Sequence, residues 1–93
     1  MGQIKNLRDH LSEVADKHGL IAYVAPEYIS EDSDEASLII GYKNNSKVIL
    51  LEILFENGWF IIDKHRTNEL TNKFRGKQVT ADWIENFIRH NSV

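Results

Sequence analysis

"VILLEILFENGWFIIDKH", residues 48–65, is the stretch on which the fold turns. Asn57-Gly58 separates two runs rich in Val, Ile, Leu, Phe and Trp. That pattern is the strongest short-range hairpin signal, because both central positions of a type I′ turn need positive φ. A two-residue turn pairs Glu56 with Trp59 and Phe55 with Phe60, and alternation then sorts the side chains into two rows. One row holds Ile49, Leu51, Ile53, Phe55, Phe60 and Ile62 and is the expected core. The other holds Val48, Leu50, Leu54, Trp59 and Ile61, with Ile39 of the preceding strand, interleaved with Glu52, Glu56, Asp63 and His65.

Upstream, "SLIIGYK" (37–43) reads as a strand joined to this hairpin through a turn at Asn45-Ser46, which adds Leu38, Ile40 and Tyr42 to the core row. "LIAYVA" (20–25) reads as a further strand, limited by Pro26, which has no N–H to give to a ladder. Ile4, Leu7, Leu11 and Val14 recur at helical spacing and predict a helix over about residues 3–18, with Gly19 just past its end. Glu13 and Lys17 add a favourable i,i+4 pair.

Downstream, Thr67 is expected to cap a short helix that carries Leu70 and Phe74 on one face and ends at Gly76. Thr80 is the expected cap of the last helix, with Val79 and Ile84 as a hydrophobic staple and Asp82 near the positive end of the helix dipole. Trp83, Ile84, Phe87 and Ile88 give that helix a broad apolar face. The order implies a single α+β domain over residues 1–93. It has an N-terminal helix, a four-stranded antiparallel meander, and one or two C-terminal helices packed on one face of the sheet.

A chain of 93 residues with 42% hydrophobic and 10% aromatic content has room for one core and is too apolar for disorder. It contains no cysteine, so disulfides, thiolate zinc sites and cysteine nucleophiles are excluded. No secretory signal is read at the start, and no apolar run nears the roughly 18 residues of a membrane helix. A cytoplasmic protein without membrane contact is therefore expected. The net charge of −3 is mild, but its distribution is uneven. Residues 27–35, "EYISEDSDE", carry five carboxylates and no base, whereas residues 64–78 carry five Lys/Arg against one Glu. The acidic run is expected to be a loop, and it lacks the glycine that a calcium loop requires at its sixth position.

The outer row of the hairpin is more apolar than a solvated sheet face needs to be. Leu50, Leu54, Trp59 and Ile61, rimmed by Glu52 and Glu56, have the anatomy of a protein interface. The expected function is therefore non-enzymatic: a small protein-binding domain of inhibitor, immunity, phage-accessory or regulatory type, engaging another protein or a second copy of itself through this face. No cofactor is expected. No glycine-rich phosphate loop, nucleophile elbow or H-E-x-x-H occurs in the sequence.

Two alternatives compete with that reading. Glu52, Asp63 and His65 form a weak candidate metal set, since facing carboxylates repel unless a cation or proton intervenes. Lys64, Arg66, Lys73, Arg75 and Lys77 form a candidate nucleic-acid surface. In outline, the helix-strand-strand-strand-helix order resembles double-stranded RNA-binding folds. The lysine cluster which that resemblance implies at the start of the last helix is missing, because "TADWIENF" (80–87) is acidic.

Overall fold

The computed structural model describes residues 2–25, 36–63 and 66–91. The acidic run 27–35, Lys64 and His65 lie outside the described residues. The elements run α1 (Gln3–Lys17), β1 (Leu20–Val24), β2 (Leu38–Tyr42), β3 (Asn45–Glu56), β4 (Trp59–Ile62), a 3-10 turn (Asn72–Phe74), β5 (Gln78–Val79) and α2 (Ala81–His90). The five strands form one antiparallel sheet in the order β1-β2-β3-β4-β5. The α+β class and the helix–meander–helix order agree with the sequence reading. The sheet has one strand more than expected, because Gln78 and Val79 pair with Ile61 and Phe60 before the chain enters α2.

Helix α1 buries Ile4, Leu7, Leu11, Val14 and Ala15, the stripe that its periodicity predicts. It ends where Gly19 takes φ 74° and donates its N–H to Asp16 O at 3.2 Å. Only a residue without Cβ adopts that conformation at no cost. Helix α2 starts at Thr80, whose hydroxyl accepts from Trp83 N–H at 3.2 Å. It buries Ile84, Phe87 and Ile88. Both helices meet the same row of sheet residues, Leu38, Ile40, Leu51, Ile53 and Ile62, in one continuous core. Burying a side chain such as Ile84 or Leu11 completely is worth about 1.5–3 kcal/mol each, so the two helices are held mainly by this shared face.

The β3–β4 hairpin has the expected register, with Glu56 opposite Trp59 and Phe55 opposite Phe60. Asn57 and Gly58 take φ 53° and 83°, the two positive values of a type I′ turn. Phe55 and Phe60 face each other across the strands at 5.3 Å and pack against the core.

Three expectations about neighbouring elements need correction. The β2–β3 turn is at Lys43-Asn44, with Tyr42 opposite Asn45, and not at Asn45-Ser46. The β2–β3 register then slips: Ile40 pairs with Leu51 but Gly41 with Ile49, which leaves Leu50 as the extra residue of a β-bulge. Strict alternation fails there, so Leu50 joins the core while Ile49 is only partly buried.

The third correction concerns residues 67–76, which form a 3-10 turn and bends in place of an α-helix. Asn68 explains this, since its side-chain oxygen accepts from Leu70 N–H at 2.9 Å and Thr71 N–H at 3.2 Å. Such local side-chain bonds compete with helical ones. Leu70 and Phe74 consequently share no buried face: Leu70 is 80% exposed, while Phe74 packs on α2.

Candidate functional site

Among the described residues, two surfaces have the chemistry of a binding site: the outer face of the sheet and a groove beside α2. The outer face divides into a closed half and an open half. In the closed half, Ile39 pairs with Glu52, and both are buried at 2% and 3% exposure. Glu52 Oε2 accepts from Ser37 Oγ at 3.0 Å, and Arg66 Nε lies 3.4 Å from Glu52 Oε1. Ser37 is itself fully buried. A carboxylate in such a place needs compensation, which the hydroxyl supplies as a hydrogen bond to Oε2 and the guanidinium as an ion pair with Oε1.

The segment after β4 returns along this part of β3. Asp63 N–H donates to Glu52 O at 2.7 Å, and Thr71 Oγ1 donates to Leu50 O at 2.6 Å. Thr71 is 3% exposed and Thr67 9%. Leu50 and Glu52, expected as the centre and rim of an exposed patch, are therefore interior residues. The bulge turns Leu50 into the core, and Arg66 with Ser37 encloses Glu52.

The open half lies toward the Asn57-Gly58 turn. Leu54 pairs with Ile61 and Glu56 with Trp59, which puts all four on the outer face. Leu54 and Ile61 are half-buried, Glu56 is exposed, and Trp59 is 45% exposed. Gln78 of β5, opposite Ile61, extends the same face with an exposed amide side chain. This is a ridge with an aromatic centre and polar flanks, carried on three paired strands.

The candidate metal residues are brought together only in part. Glu52 and Asp63 are neighbours across β3 and the end of β4, but the Glu52 oxygens face Ser37 and Arg66. His65 lies outside the described residues. Among the described residues no three His, Cys, Asp or Glu side chains converge.

The basic segment is likewise divided. Arg66 turns toward Glu52, while Lys73 and Lys77 stand over aromatic rings and Arg75 is exposed. No helix among the described residues is long and apolar enough to cross a membrane.

The groove beside α2 was not legible as a site. Phe74, on the 3-10 turn, meets Trp83 edge-on at 5.2 Å and Phe87 at 6.4 Å. Trp83 and Phe87, one helical turn apart, stack at 5.8 Å with 18° between their planes. Next to them opens a groove of about 330 Å³ whose lining also includes Leu70 and Thr71 from the segment before the 3-10 turn and Asn86, His90 and Asn91 from the end of α2. Lys73 Nζ lies 5.0 Å from the Phe74 ring centre, and Lys77 Nζ lies 5.8 Å from Phe74 and 5.4 Å from Trp83. The signal that could have exposed this groove is Asn68, whose side chain favours a turn over the helix that would have buried Leu70.

Comparison of the chain with protein-family models, with curated proteins and with solved structures yields no match.

Proposed function

We propose that this protein is a non-enzymatic binding domain that engages a protein partner through the open half of its outer sheet face. Trp59 is the anchor, Leu54 and Ile61 are the apolar flanks, and Glu56 forms the rim. The observation that carries this reading is Trp59 itself, 45% exposed on a type I′ hairpin beside two half-buried aliphatic side chains. Tryptophan is the residue most enriched among binding hot spots, and an exposed one gains most when a partner removes it from water. Regulatory, inhibitory and immunity-type roles all use such a surface. A second copy of the chain is the nearest variant of the partner.

Nucleic-acid binding through Lys64, Arg66, Lys73, Arg75 and Lys77 has less support. Arg66 is engaged with buried Glu52, and Lys64 lies outside the described residues.

The test compares wild type with Trp59→Ala, both checked for an unchanged far-ultraviolet circular dichroism spectrum. Sedimentation reads self-association, and affinity capture from the source cells reads a stoichiometric partner. Loss of either association in the variant supports the proposal; a folded variant that keeps every association of the wild type refutes it.

A further inference from the structure

The groove between the 3-10 turn and α2 is a second surface, independent of Trp59, and its charge selects its occupant. The chain as a whole is acidic, with 14 Asp and Glu against 11 Lys and Arg. The groove lining nevertheless includes Lys73 and His90 and no carboxylate. Lys77 adds a second ammonium group over the Trp83 ring at its margin. Of the two acids on α2, Glu85 is engaged elsewhere, its oxygens meeting His10 at 3.4 Å and Arg89 at 3.3 Å, and Asp82 is exposed in the first turn beside Trp83. Among the described residues, the lining of this aromatic groove therefore carries a cation and no carboxylate, with Glu69 and Asp82 exposed just outside it.

The two sides of the groove differ. On one side, Lys73 Nζ stands over Phe74 and Lys77 Nζ over both Phe74 and Trp83. On the other, His90 Nδ1 lies 2.7 Å from Asn86 O, to which it donates, and Asn91 Nδ2 donates to Phe87 O at 2.8 Å. These bonds tie both side chains to the last turn of the helix. The carbonyl end of α2 disfavours an anion there. Leu70 projects at 80% exposure and lines the groove with Phe74 and Phe87. An opening of about 330 Å³ lies at the small end of the roughly 300–1,000 Å³ range of ligand pockets and has room for one bulky side chain.

We propose that this groove binds an acidic peptide segment of a protein partner. One leucine or aromatic side chain of the segment inserts between Leu70, Phe74 and Phe87. The flanking aspartates or glutamates meet Lys73 and Lys77. The site does not depend on the sheet-face reading.

The chain has two tryptophans, Trp59 on the sheet face and Trp83 in the groove, so their indole N–H resonances report the two surfaces separately. The experiment titrates the intact 15N-labelled chain with short capped peptides bearing a central Leu, Phe or Trp flanked by Asp and Glu. Controls are the same peptides with Lys in place of the acids, and a single-stranded oligonucleotide.

The expected result is saturable movement of the Trp83 indole and the Asn86 and Asn91 side-chain amides, with the Trp59 indole unmoved. Affinity falls with added salt. Lys73→Glu with Lys77→Glu weakens binding by roughly tenfold or more, as reversal of complementary charges does. Both side chains are exposed, so this variant keeps the core intact.

Equal binding of the lysine peptides overturns the proposal, as does a still Trp83 indole at millimolar acidic peptide, or movement of Trp83 with the oligonucleotide alone. Movement of Trp59 alone places the peptide on the sheet face and overturns the groove assignment only.

Discussion

Ser37 Oγ donates to Glu52 Oε2 at 3.0 Å, and the two residues are buried together on the sheet face opposite the helices. A carboxylate at 3% exposure, with Arg66 Nε 3.4 Å from its second oxygen, marks where the outer face stops being a surface. Ser37→Ala removes the hydroxyl donor from a buried anion and is expected to cost about 1–2 kcal/mol. Arg66→Ala should cost less than about 1 kcal/mol, because the guanidinium is 43% exposed and water substitutes for it. Urea denaturation of both variants checks the order; an Arg66 effect larger than the Ser37 effect contradicts it.

Thr71 links the segment after β4 to the bulge of β3, through its hydroxyl on Leu50 O at 2.6 Å. Thr71→Val keeps the shape but leaves that carbonyl short of a donor, a loss of about 1–2 kcal/mol. Thr71→Ser retains the bond and should stay closer to wild type in the same denaturation series. Equal stability of the Val and Ser variants would show that the hydroxyl is not needed there.

Helix α2 carries both core residues and the groove, and Thr80 is its N-cap. Thr80→Ala is expected to lower stability by about 1 kcal/mol, and Thr80→Ser to change it little. Thermal unfolding followed by circular dichroism reads the difference. A Thr80→Ala midpoint equal to that of Thr80→Ser would contradict capping.

Gly58 takes φ 83°, and a Cβ added there would meet nothing within 4 Å. Gly58→Ala therefore isolates the backbone cost of a left-handed residue, about 1–2 kcal/mol, without a steric clash. Denaturant midpoints of Gly58→Ala and wild type measure it. A neutral substitution would mean that the hairpin can take another turn type.

The hairpin is legible in the sequence because its signal is local: Asn57-Gly58 sets the turn, and the turn sets the register of Phe55 with Phe60. Helices α1 and α2 are legible for the same reason, from Ile4, Leu7 and Leu11 on one face and from Thr80 ahead of Trp83. What fails is alternation carried past a bulge. Nothing within residues 45–51 announces that Leu50 will be supernumerary, since the turn sits two residues earlier, at Lys43-Asn44, and the register shifts on either side of Gly41. Only the upper half of the outer row, Leu54, Glu56, Trp59 and Ile61, survives as surface. Leu70 and Phe74 fail differently. Their helical spacing is real in the sequence, but Asn68 bonds the backbone first and leaves one side chain in water and the other against Trp83. The acidic run 27–35 lies outside the described residues.

The most direct measurement of the central claim is the affinity of the partner, or of the second copy, for wild type and for Trp59→Ala. An anchor tryptophan at the middle of an interface is worth about 2 kcal/mol or more, so the dissociation constant should rise by roughly thirtyfold. The unfolding midpoint of the free chain should stay near that of wild type, since Trp59 is 45% exposed. A dissociation constant unchanged by Trp59→Ala in a folded protein would contradict the account.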